Sequence, residues 1–167
     1  GVGMQLGQFQ LSDLMFPRET RLTFQDFMAY RMAGITYDRG VLFDRGVGPL
    51  DVALGAVNGN GVRATATINN PGFARADHLF DNDTEKSVFG RIGFPVGPAS
   101  LGLFGLSGEQ KAANDIGAPG TATTDRDTDK KVYGVDVSGD IGGNVYWFAQ
   151  ALLNRWDGFL ESVPDQE

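Results

Sequence analysis

The sequence predicts an all-β protein, an antiparallel transmembrane β-barrel of which this chain holds a portion. Three observations predict it. Glycine-spaced apolar segments come in pairs, 41–47 with 50–58, 87–94 with 99–107, and 132–140 with 144–155, and each pair is joined by a very tight turn. Long hydrophilic stretches, 59–86 and 108–131, rich in Asn, Asp, Thr and Gly, separate the pairs. No run approaches the ~18–20 continuous apolar residues that a spanning helix needs. Short turns at one end of every hairpin and long loops at the other are the organisation of a membrane barrel.

The first strand is expected at 3–10, and residues 1–9 already read as strand, with no leader-like segment. The polar run 162–167 reads as a loop, so both ends look cut from a longer polypeptide. Residues 11–35 follow as a long loop containing a short helix, because Leu22, Phe24, Phe27, Met28, Tyr30, Arg31 and Met32 recur at helical spacing and Thr20 or Thr23 can cap it. Such a loop either lies on the rim or folds into the lumen, where Arg18, Glu19, Arg21, Asp26 and Arg31 would narrow it.

Each hairpin then alternates as a wall between lipid and water should. Leu50, Val52, Leu54 and Ala56 oppose Asp51, Ala53, Gly55 and Val57, and Leu101 and Leu103 oppose Ser100, Gly102 and Phe104. Tyr133, Val135 and Val137 oppose Gly134, Asp136 and Ser138, and Val145, Trp147, Ala149 and Ala151 oppose Tyr146, Phe148, Gln150 and Leu152. Superposing the two Val-Gly-Pro turns superposes these faces, so the hairpin is a weak internal repeat. Seven strands are expected in all. A bacterial barrel closes with an even number, so unpaired edges are expected here. A soluble antiparallel sandwich is the alternative, but it would not confine its long loops to one end.

Composition narrows the function. The net charge is −7, with 21 Asp plus Glu against 14 Lys plus Arg, which offers no basic stripe for nucleic acid. There is no Cys, and the single His78 has neither a nucleophile nor a second His at catalytic or metal spacing, so neither an enzyme nor a cofactor is expected. His78 with Asp77, Asp81, Asp83 and Glu85, and the alternating Asp125, Asp127 and Asp129, read as solvated acidic loops. Arg91, on the face opposite Val88 and Ile92, leads the expected pore-lining residues, with Arg45, Asp44, Asp51, Asp136 and Gln150.

Leu6-Gly7-Gln8-Phe9, Asp38-Arg39-Gly40-Val41, Gly48-Pro49-Leu50 and the strand exit Asn58-Gly59-Asn60-Gly61 resemble the phosphate-selective porin O and P family. Gly90-Arg91, Phe94-Pro95-Val96-Gly97-Pro98 and the hairpin 132–155 continue the likeness over most of the chain. The resemblance implies a Gram-negative outer-membrane barrel of about sixteen to eighteen strands, often a homotrimer, in contact with outer-membrane lipid. This chain would supply less than half of that barrel. The family also implies anion transport over a basic lumen, from which the acidic balance departs. Three functions follow. They are a porin for passive diffusion of small hydrophilic solutes or ions, a barrel sheath holding another protein such as an electron carrier, and a soluble β-rich binding or adhesive module.

Overall fold

Gly48-Pro49 and Gly97-Pro98 close two hairpins as two-residue loops, with Val47 opposite Leu50 and Val96 opposite Ala99. Gly48 and Gly97 sit at φ +62° and +61°, which glycine adopts without strain, and the prolines follow where no ladder donor is needed. The computed structural model describes residues 1–15, 30, 33–35, 37–59, 62–67, 70–73, 85–113, 127–143 and 145–157. Of these, 62–67, 70–73, 110–113 and 127–128 are described by backbone alone.

The strands are β1 (Gly3–Gln10), β2 (Tyr37–Val47), β3 (Leu50–Val57), β4 (Val62–Thr67), β5 (Asn70–Phe73), β6 (Ser87–Val96), β7 (Ala99–Ala113), β8 (Asp127–Ile141) and β9 (Val145–Asp157). Seven of them form one open antiparallel sheet in the order β1-β2-β3-β6-β7-β8-β9. Its three tight turns lie at one end. Among the described residues β1 does not pair with β9, so the barrel is not closed and both edges are free.

The seven expected strands are present, but two boundaries of the long segments differ from expectation. β7 and β8 run well into 108–131, pairing as far as Lys111 with Asp127. The stretch 59–86 contains the small β4–β5 hairpin, whose Val62 and Arg63 pair in parallel with Ala112 and Ala113 of β7. The expected helix falls almost wholly outside the described residues. Its described flank, Leu11–Leu14, is a single 3-10 turn.

The sheet is strongly curled. The rings of Phe9 on β1 and Phe89 on β6 stand 5.9 Å apart. Three inter-strand steps in a flat sheet would span about 14 Å. Gly55 permits this curl, because a Cβ there would meet the carbonyl oxygen of Val41 and the ring of Phe89. The buried apolar cluster lies on the concave side. It joins Leu42, Ala53, Val57, Phe89, Phe104, Leu106 and Val132 of the strands to Leu11, Met15, Tyr30, Ala33 and Ile35 of the 11–35 segment.

Candidate functional site

The pairing registers sort every strand residue onto one of two faces. One concave row runs Gly46, Asp51, Gly93, Gly102, Asp136, Gln150 across β2 to β9, and the next runs Asp44, Ala53, Arg91, Phe104, Gly134, Leu152. Of the expected pore-lining residues, Arg91, Asp44, Asp51, Asp136 and Gln150 therefore share this face. Arg45 does not. It is in register with Val52 and Ile92 on the convex face, because adjacent residues of a strand point to opposite sides and Asp44 already points inward.

Arg91 reaches across β7 to Asp136. Its Nε donates to Oδ2 at 3.1 Å and its Nη2 donates to Oδ1 at 2.6 Å. The side chains retain 17% and 10% of their exposure, so the pair is largely shielded from water. The two-point geometry fixes the guanidinium plane and joins two opposite charges into a neutral unit. Gly102 makes room for it: a Cβ there would fall on Arg91 Nη2 and on both carboxylate oxygens of Asp136. Beside the pair, Leu14, Asp44, Gly46, Asp51, Ala53 and Arg91 line a cavity of about 250 Å³, which Arg45 borders from the convex row.

The described parts of the 11–35 segment lie against this concave face rather than on the rim. The Ser12 amide donates to the carbonyl oxygen of Ile35 at 3.0 Å, and Gln10 Nε2 donates to Ser12 Oγ at 2.9 Å, tying the two ends of the segment together. The buried Tyr30 hydroxyl donates to Gln150 Oε1 on β9 at 2.6 Å. Lys130 of β8 is also buried, and its Nζ donates to the carbonyl oxygen of Gly34 at 2.8 Å. Met15 packs over Gly134, where a Cβ would stand 2.8 Å from its sulfur. The segment is thus strapped from the β1–β2 side to β8 and β9. Arg18, Glu19, Arg21, Asp26 and Arg31 lie outside the described residues, as do His78 and its acidic neighbours through Asp83.

Tyr30 and Lys130 escaped the sequence reading as site residues. Lys130 carried a signal in its parity, since it alternates with Val132, Gly134 and Asp136 and must share their face. Tyr30 carried none, because its partner lies 120 residues away. Among the described residues no group of His, Asp or Glu is spaced to hold a metal ion. No family model, curated protein or solved structure matches the chain.

Proposed function

We propose that the chain is part of the wall of a water-filled pore in a bacterial outer membrane, through which small hydrophilic solutes and ions diffuse passively. The division of the sheet into a convex face of exposed apolar side chains and a concave face with its apolar cluster at the loop end and glycine and charge toward the tight turns carries this reading. On the convex side Met4, Leu6, Phe43, Leu54, Val88, Leu103, Tyr133, Val135 and Leu153 are all exposed. A protein in water interrupts or covers so continuous an apolar surface, whereas hydrocarbon solvates it. The convex row of β8 from Tyr133 to Ile141 measures about 27 Å along the strand. At a tilt of ~40° it spans about 20 Å of thickness, close to the ~25 Å band of outer-membrane barrels.

In hydrocarbon an edge strand would leave its backbone groups without partners. The free edges of β1 and β9 therefore need further strands, and the wall is completed by polypeptide beyond that described here. In the sheath alternative the concave face would receive another protein. Its coverage by the described parts of the chain's own 11–35 segment favours the pore.

The concave face carries Asp38, Asp44, Asp51, Asp136 and Asp140 against Arg91 and Lys130. Arg91 and Asp136 are committed to each other, and Asp38 and Lys130 are both buried at the opposite end, which leaves Asp44, Asp51 and Asp140. This balance supports passage of cations over anions along the described wall, against the phosphate preference that the family resemblance implies. Purified full-length protein should run as a heat-modifiable species in detergent and give stepwise conductance in a planar bilayer. Insertion without conductance would favour the sheath, and complete solubility without detergent would remove the membrane assignment.

A further inference from the structure

Asp38 of β2 and Lys130 of β8 are buried ionisable groups that lie away from the charges lining the tight-turn end. Lys130 Nζ donates to the Gly34 carbonyl oxygen at 2.8 Å. Asp38 accepts two amides, Arg39 N–H at 2.7 Å on Oδ1 and Gly59 N–H at 3.2 Å on Oδ2. The row of Lys130 runs through Gly108, Ser87 and Val57 to Gly40, and Asp38 stands two residues loopward of Gly40. These four inter-strand steps would cover about 19 Å in a flat sheet. The curl instead brings the two charges within attracting range of each other across the concave side. Both lie loopward of the apolar band, at the level where the convex face turns to Ser107, Lys131 and Arg155.

We propose that Lys130 and Asp38 form a pH-dependent bridge across the concave face, tying β8 and β2 to the described ends of the 11–35 segment most weakly near neutral pH. The bridge goes beyond the pore reading, since it needs the curl of the sheet and not the membrane. Its parts are the Lys130 bond to Gly34 and the attraction between Lys130 and Asp38. Burial among Val57, Val132 and Ile35 makes both charges costly, and their attraction offsets that cost only in part. Arg39, beside Asp38 on β2, is the other charge that acts on it. The described residues of the segment add the titratable Asp13 and Tyr30, the latter with its hydroxyl on Gln150.

The sign of the pH dependence follows from the same burial. Desolvation pushes the Asp38 carboxyl up from 3.8 to about 6, against its two amide bonds and the pull of Lys130. Desolvation also pushes the Lys130 ammonium down from 10.5 to about 8, against the pull of Asp38. Opening the bridge returns both groups to water and to their ordinary values. Between about pH 6 and 4 the closed form holds a proton on Asp38 that the open form does not, so acid strengthens closure. Between about pH 8 and 10.5 the closed form has lost a proton from Lys130 that the open form keeps, so alkali strengthens it too. Neutral pH, where both groups are charged, is the weakest point. Two pH units to either side change the closing equilibrium by about tenfold.

The chain has no Cys, so one introduced thiol can report the bridge. Ser12→Cys is nearly isosteric, and Ser12 is buried with its amide on the Ile35 carbonyl oxygen. The full-length protein is labelled with a water-soluble thiol reagent, and each rate is divided by that of Val2→Cys, an exposed position, at the same pH. The ratio cancels the ionisation of the thiol itself. It should be highest near pH 7 and about tenfold lower at pH 5 and at pH 9. Asp38→Asn in the Ser12→Cys background should remove the acid limb and keep the alkaline one. Lys130→Met should do the reverse, and Asp13→Asn should keep both. A flat profile would overturn the bridge, and so would an acid limb that survives Asp38→Asn or disappears with Asp13→Asn. Complete protection of Ser12→Cys at every pH would overturn it as well, because the bridge would then never open. Far-UV circular dichroism of each variant scores folding separately, and heat modifiability scores the membrane assignment.

Discussion

The two faces of this sheet are built from alternate residues of the same strands, yet different physics holds each together. On the convex face side chains stand outward, and their neighbours are solvent: Leu54 and Val88 are each 59% exposed. Their contribution depends on what that solvent is. On the concave face glycines and a few long polar residues lie beside the buried apolar cluster, and the neighbours are other parts of the chain: Arg91 on Asp136, Met15 on Gly134, Tyr30 on Gln150. If it meets hydrocarbon, as proposed, the convex face tolerates changes of shape and not of charge. The concave face is the reverse.

The largest effect expected from this contrast is a charge placed on each face at the same level of the wall. Leu103 on β7 and Gln150 on β9 sit near the middle of their strands, Leu103 convex and Gln150 concave. Leu103→Arg should cost ~2–4 kcal/mol of stability in a bilayer, as an arginine near the hydrocarbon midplane does. Gln150→Arg should cost about 1 kcal/mol, the loss of the Tyr30 hydrogen bond. Urea unfolding of the two variants in vesicles measures the difference. Equal costs would mean that the convex face does not meet hydrocarbon.

A second, smaller contrast tests shape. Gly102 lies under the Arg91–Asp136 pair, and Gly105 lies open on the other side of the same strand. Gly102→Ala should displace the pair and destabilise by roughly 1–2 kcal/mol, since a shielded pair depends on its geometry. Gly105→Ala should change stability by no more than about 0.5 kcal/mol. The same unfolding assay reads both, and indifference at Gly102 would show that the pair reorganises freely.

How much of this was legible in the sequence follows from which force organises each part. Two of the three tight turns were legible because a two-residue Gly-Pro loop is decided locally, by the four dihedrals of its own residues. Strand positions within the apolar band were legible because successive strand residues point to opposite faces, so one apolar face imposes period two on hydropathy. Beyond the band that signal vanishes while the backbone ladder continues. Glu109 and Asp129 are paired strand residues, yet they look like loop to any reading by polarity. Val62 to Thr67 offers one branched apolar side chain and otherwise small or polar ones, so β4 presented no apolar face to read. Arg45 was a misreading of available information, for strict alternation forbids it from sharing a face with Asp44. The docking of the 11–35 segment was beyond reach, since it depends on long-range contacts with a curl that no single strand encodes.

The smallest expected effect concerns selectivity, and it decides what Arg91 does. Asp44 and Asp51 point from the concave face without a basic partner among the described residues. Removing both charges, by Asp44→Asn with Asp51→Asn, should lower the cation-to-anion permeability ratio by about twofold at 0.1 M salt. The effect should shrink at 1 M, where the Debye length falls from about 10 Å to 3 Å. Arg91→Gln alone is a poor test, because losing a positive charge favours cations whether or not Arg91 is paired. The double variant Arg91→Gln with Asp136→Asn separates the cases. If the two act as a neutral unit, as their 2.6 Å contact implies, deleting both leaves the bilayer reversal potential at its wild-type value. If Arg91 attracts anions independently while Asp136 stands away from the ion path, the same double variant shifts the reversal potential toward cations. That shift would restore Arg91 as an anion filter and remove the case for a cation-preferring wall.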